Sequence, residues 1–373
     1  MLSFKIHNSF LDLSDDVDQF IGQKLLWNLD FLKAMETSQS VGKDSGWDPR
    51  AICIYDTNNL IGFVPMFIKH HSYGEYVFDW SWAEAYNQLG LAYFPKLFIG
   101  LPFTPVNSKK IITQKDTLKR EIIKFIENFI EKENLSSAHY VFSENNDSIN
   151  DIFRNKNWSN RKTIQYLWRN KEYKDFDHFL SILKHDKRKK IKQDRKKISS
   201  FNLSFQIIED DQITTEVIDF FYQCYSMTYH QHGSIPYIKK EFFDEFFVKH
   251  SDRVVIFCGM IGGQRVGSSF CLKLGDSLYG RYWGAIEYIP ALHFELSYYQ
   301  GIEYCIRNKI EKFYAGIQGE HKLSRGFEPL FSESFHFLKD ERLKKAVSDF
   351  AEREGNLHQQ YLNELESRVP FKD

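Results

Sequence analysis

Between Gln318 and Arg325 the chain reads QGEHKLSR, which sets an acid (Glu320), an imidazole (His321) and two cations (Lys322, Arg325) almost side by side. Such a set can take a proton from a nucleophile, return one to a leaving group, or hold a developing negative charge. Clustered titratable groups mark places where pKa values are tuned. An ion-paired loop that fastens a domain would use the same residues. A second group lies upstream, in LYGRYWGAIEYIPALHFELSYYQ. Arg281, Tyr282 and Trp283 fall on a strand, where alternation sends Arg281 and Trp283 to one face and Tyr282 to the other. His293, Glu295, Tyr298 and Gln300 fall on a helix that Pro290 would open at its first position. Two residues apart, His293 and Glu295 point to different sides, while Gln300 follows His293 by two turns on one face. Amides at that helix end can bind an anion; equally, Glu295 can answer the helix dipole while His293 packs.

The elements that must position these residues follow from the patterning. Leu278–Pro329 reads as strand, helix, strand and polar loop, so the cluster falls beyond the carboxyl end of a strand, where open α/β sheets place ligands. The order occurs twice. AICIYDTNNLIGFVPMFIKH, turning at Asn58-Asn59, and RVVIFCGMIGGQRVGSSFCLKL, turning at Gly262-Gly263, are both hairpin patterns. Each leads to a strand (from Tyr73 or from Tyr279), a helix (117–133 or 291–308) and a short strand, AHYVF or KFYAGI. Further helices are expected at 15–24, 28–37, 210–230, 239–249 and 341–367. The reading is an α/β fold with mixed sheets and two domains, 1–172 and 173–373. In the first half the acidic aromatic stretch with Glu75, Asp79 and Trp80 could line an acceptor site, or serve as core and surface.

Composition narrows the classes. A hydrophobic content of 42% with 34 Phe, 20 Tyr and 7 Trp describes a globular protein. No run approaches the ~18 apolar residues of a membrane span, and MLSFKIHNSF lacks the pattern of a signal peptide. Five scattered cysteines without a C-x-x-C pair fit reduced thiols in the cytoplasm. No zinc motif, nucleophile elbow or P-loop is present, and no metal or other cofactor is expected. Of the 49 basic and 50 acidic residues, nine and two lie in KHDKRKKIKQDRKKI (184–198), which leaves 40 against 48 elsewhere. This segment is either a solvated helix or a surface for an anionic partner, with Lys187, Arg188, Lys189, Lys190, Lys192, Arg195, Lys196 and Lys197 as its contacts.

The chain resembles the FemAB-like proteins, relatives of the FemABX aminoacyl transferases and of the GNAT N-acyltransferases. The likeness is carried by Tyr279-Gly280-Arg281-Tyr282-Trp283-Gly284, Leu292-His293-Phe294-Glu295 and Gly319-Glu320-His321-Lys322 with Arg325-Gly326-Phe327. In the first half it rests on Ser40-Val41-Gly42, Tyr73–Trp80 and Pro102–Pro105. It implies two tandem GNAT-like acyltransferase domains and amide formation. The acceptor would be a small amine, a peptide or a cell-wall precursor, and the donor aminoacyl-tRNA or acyl-CoA. A silent module that recognises peptidoglycan or peptide is the alternative. Glu320 or His321 would act as base, with His293 and Glu295 in the same cleft, and Lys322 or Arg325 would stabilise charge. Gln318, Arg281, Tyr282, Trp283, Tyr298 and Gln300 would bind substrate. The junction Gly284–Pro290 has one glycine, no cation and a glutamate, a poor pyrophosphate cradle, which favours aminoacyl-tRNA and gives the basic segment a role.

Overall fold

The computed structural model describes residues 1–22, 25–156, 158–317, 319–367 and 370–371. They form two compact units, residues 1–163 with 331–360, and residues 164–330 with 361–373.

In the first unit the hairpin Trp47–Asp56/Asn59–Lys69 pairs Ile52 with Val64, and Leu2–His7 adds to its outer edge. Lys96–Ile99 runs antiparallel to the hairpin and parallel to Ser137–Ser143, Leu97 facing Ala138. The helix Leu118–Lys132 lays Ile122, Ile123, Ile126 and Ile130 into the core with Val64, Leu97 and Tyr140. Full burial of such a side chain stabilises by about 1.5–3 kcal/mol. The last strand comes from the far end of the chain, Phe335 facing Tyr140 and Leu338 facing Ser137.

The strand expected from Tyr73 does not form; the corresponding strand is Lys96–Ile99. Gly74, Tyr76 and Phe78 all have positive φ, which breaks an extended run, and Glu75 and Asp79 turn inward onto Lys96.

The second unit repeats the plan. The hairpin Val254–Ile261/Gln264–Leu274 turns at Gly262-Gly263 and carries Leu203–Ile208 on its outer side. Ser277–Ala285 follows, then helical residues 292–307, then Lys312–Tyr314 parallel to the start of Ser277–Ala285. The neighbour of Lys312–Tyr314 is again borrowed, since Arg169, Trp168 and Leu167 pair with it antiparallel. Each unit is thus finished by a strand from the opposite half of the sequence. That is why the chain does not divide at a single point near 172.

Three local features shape the second unit. First, the register between Gln264–Leu274 and Ser277–Ala285 slips after Cys271↔Gly280, leaving Arg281 as the extra residue of a β-bulge before Phe270↔Tyr282. Simple alternation therefore fails there. Second, Gly284 packs under the helix Thr215–Gln231, where a Cβ would lie 1.9 Å from the Cys224 carbonyl oxygen. The glycine serves this close approach. Third, the long helix opens at Leu292 after Ala291 in the left-handed region, not at Pro290, and Glu295–Tyr299 forms a π-turn. Such turns are rare and often sit at functional sites.

Candidate functional site

Ser277–Tyr279 pair with Lys312–Tyr314; beyond them the two parallel strands are no longer bonded. A cavity of about 110 Å³ opens at this parting. Its lining includes Arg281, Tyr282, Trp283, His293, Ser297 and Tyr298. The bulge explains why three consecutive strand residues reach one cavity.

The 3₁₀ turn Glu320–Arg325 stands beside it. Gly319 opens the turn with φ 101°, and a Cβ there would lie 2.4 Å from the His321 ring, so the imidazole occupies the space a side chain would need. His321 Nε2 meets the Tyr298 hydroxyl at 3.0 Å. The ring centroids of His293 and Trp283 are 4.5 Å apart, and those of His293 and His321 are 6.0 Å apart. Burial and the nearby cations hold His321 down to about 4 and His293 to about 3, so both are neutral at pH 7. Lys190 is among the cations acting on His321, so the basic segment contributes to the field at the site. Lys322 is 4% exposed and lies over the Tyr166 ring at 5.3 Å. Among the described residues no carboxylate pairs with it, and burial pushes its amine down to about 7.

Other expected site residues take different positions. Glu320 is exposed and accepts a hydrogen bond from the Tyr361 hydroxyl. Glu295 is buried, but Arg195 grips it at 2.8 and 3.1 Å and Gln300 donates to it at 2.7 Å. Gln300 therefore faces Glu295, because the π-turn changes the face it would occupy on a regular helix. Arg325, 1% exposed, donates to Asp194 at 2.7 Å and to the His321 carbonyl at 2.8 Å, and its guanidinium covers the Phe294 ring. Gln318 lies outside the described residues. In the first unit, Glu75 and Asp79 are buried around Lys96, with Tyr93 donating to Asp79 at 2.5 Å, while Trp80 is 47% exposed.

The basic segment is the helix His185–Ser199. Lys189, Lys190, Lys192, Lys196 and Lys197 are exposed, and Lys187 and Arg188 partly so. Arg195 turns inward to Glu295 and Glu303, because it shares a face with the buried Ile191, Asp194 and Ile198. Sequence reasoning did not single out Asp194 or Ser297. Asp194 was legible as an acid spaced three and four residues from two isoleucines amid cations; Ser297 carries no signal without the π-turn.

The second unit thus sets two neutral imidazoles, His293 and His321, at the parting of two parallel strands, within a mixed α/β fold of two units that repeat one order of elements. The chain belongs to the FemAB-like family of peptidoglycan biosynthesis/recognition, matched over residues 14–373. Among solved structures it is similar in fold to FemX, at 10% identity and a TM-score of 0.53, over 92% of this chain and 100% of that one. A conserved protein of unknown function from Bacteroides thetaiotaomicron matches at 14% identity and a TM-score of 0.50, over 91% and 100% of the two chains. The C-terminal domain of a protein assigned as a lysylphosphatidylglycerol synthetase from Agrobacterium fabrum does so at 9% and 0.50, over 86% and 90%. No curated protein matches the sequence. Among the described residues no helix is long and apolar enough to cross a membrane.

Proposed function

We propose that the chain transfers an aminoacyl group from aminoacyl-tRNA onto the amine of a peptide or cell-wall precursor, with the chemistry in the second unit's cavity. The observation that carries this reading is Lys322, a buried amine without a carboxylate partner among the described residues, its pKa pushed by burial down to about 7, near the working pH. A general base is most effective when its pKa lies near ambient pH. In the reaction the acceptor nitrogen attacks the ester carbonyl, the C–N bond forms and the C–O bond to the ribose breaks. Neutral Lys322 takes the proton from nitrogen and returns it to the departing oxygen. His321, held by Tyr298, and His293 stay neutral and serve as hydrogen-bonding groups rather than bases. Arg281 supplies positive charge at the cavity wall.

The donor assignment is supported by the exposed cations of His185–Ser199. It is also supported by Gly284, whose backbone is committed to the helix packed on it and is not shaped to cradle a pyrophosphate. Incubating the protein with a mixture of charged, radiolabelled tRNAs and lysine-containing muropeptides tests it. The expected result is label passing to the peptide, lost in Lys322→Met. Label transfer from acetyl-CoA but from no charged tRNA would replace the donor assignment.

A further inference from the structure

The donors and charges of the cavity in the second unit are one-sided. Its wall carries Arg281, His293 and Ser297, and among the described residues no carboxylate lines it. Arg281 Nη2 reaches the Tyr282 hydroxyl at 3.2 Å, and the guanidinium covers that ring, which fixes its plane. Ser297 Oγ is buried and has no hydrogen-bond partner among the described residues. Buried hydroxyls in native proteins nearly always have one, so an orphan in a cavity wall points to a ligand atom. Of the carboxylates on the helical segment and on the turn beside the cavity, Glu295 is committed to Arg195 and Glu320 to Tyr361. A volume of about 110 Å³ admits a group of a few heavy atoms.

We propose that this cavity holds the carboxylate of a small amino-acid-like or peptide-terminal group, with Arg281 and Ser297 as its anchors. A planar guanidinium fork matches a carboxylate with two parallel bonds, and a serine hydroxyl adds a third donor. The one-sided charge has a chemical consequence. The cationic wall disfavours an ammonium held against it, which opposes the pull of the bound carboxylate and lowers the pKa of a substrate amine relative to the same amine beside a carboxylate alone. The assignment rests on the reading of this cavity as the reacting site and specifies which substrates that site selects.

Titration calorimetry with N-acetylglycine, N-acetylglycinamide and inorganic phosphate tests it on the full chain. N-acetylglycine is expected to bind at least tenfold more tightly than the amide, which lacks the charge, and than phosphate, which lacks the planar shape. Arg281→Met should weaken N-acetylglycine by roughly 10- to 100-fold, and Ser297→Ala by about fivefold. Arg281→Lys should recover only part of the loss. Thermal melts identify variants that fail to fold; if Arg281→Met does, the comparison of Ser297→Ala with wild type and of acid with amide stands on folded protein. Equal binding of acid and amide overturns the proposal, as does tighter binding of phosphate or no saturation by N-acetylglycine at about 100 mM. Carboxylate binding that depends on Arg281, in a protein that transfers no aminoacyl group, would instead count against the aminoacyl-transfer reading alone.

Discussion

At the scale of single residues, the structure separates groups that adjacency in sequence had made equivalent. Glu320 and Lys322 are two positions apart, yet one is exposed beside Tyr361 and the other is 4% exposed and unpaired by any described carboxylate. A depressed lysine pKa means that folding disfavours the charged form. The penalty is absent above the unfolded value of 10.5, grows as pH falls toward about 7, and is constant below that. Lys322→Met is therefore expected to raise stability at pH 7 by on the order of a few kcal/mol, with the gain shrinking toward pH 10. Urea melts across that range check it. The same variant should cut turnover by about 10²–10⁴-fold. In the wild type, kcat/KM should rise about tenfold per pH unit up to an apparent pKa near 7 and then level off. Glu320→Gln should leave turnover near the wild-type value; a loss as large as that of Lys322→Met would return the catalytic role to the acid.

At the scale of elements, His185–Ser199 has two faces with different work. Outside are the lysines; inside, Asp194 binds Arg325 and Tyr299, and Arg195 binds Glu295 and Glu303. Asp194→Ala would strand a buried guanidinium and is expected to cost about 3–5 kcal/mol, read as a drop in urea midpoint. Reversing Lys189, Lys192 and Lys196 to Glu should leave stability nearly intact, weaken tRNA binding and flatten its salt dependence by about 0.7–0.9 per lost phosphate contact. Binding unchanged across a salt series would remove RNA from the account. Much of this scale was legible in sequence. The helix at 341–367, the Gly262-Gly263 hairpin and the basic helix follow from periodicity and turn chemistry. The candidate cavity was half legible: His293, Arg281, Trp283 and Tyr298 were named as its parts. The bulge at Arg281 and the π-turn at Glu295–Tyr299 were not, because each inserts a residue out of period and leaves no mark in the pattern of apolar residues. The segment 73–80 misled because its aromatic spacing imitates a strand, while its φ values are set by the buried Lys96 ion pairs.

At the scale of the whole molecule, the repeated hairpin, strand, helix and strand were visible in the order of elements, but the exchanged final strands were not. Period and propensity name strands without naming their partners, and these pairings join residues roughly 140 to 200 positions apart in the chain. A fragment ending at residue 172 should fail to melt cooperatively as a monomer, since it lacks the segment that covers Ser137–Ser143 and leaves that strand with an open edge. Size-exclusion chromatography and a thermal melt check it, and a monomeric, cooperatively folded fragment would show that the borrowed strand is dispensable. The exchange also bears on how the protein is made. During synthesis the amino-terminal unit stays unfinished until residue 338 has left the ribosome, long after the strand it pairs with, Ser137–Ser143, has emerged. A stalled or truncated product thus exposes an unpaired strand edge, a target for chaperones and proteases, and the cell would accumulate either the complete protein or none.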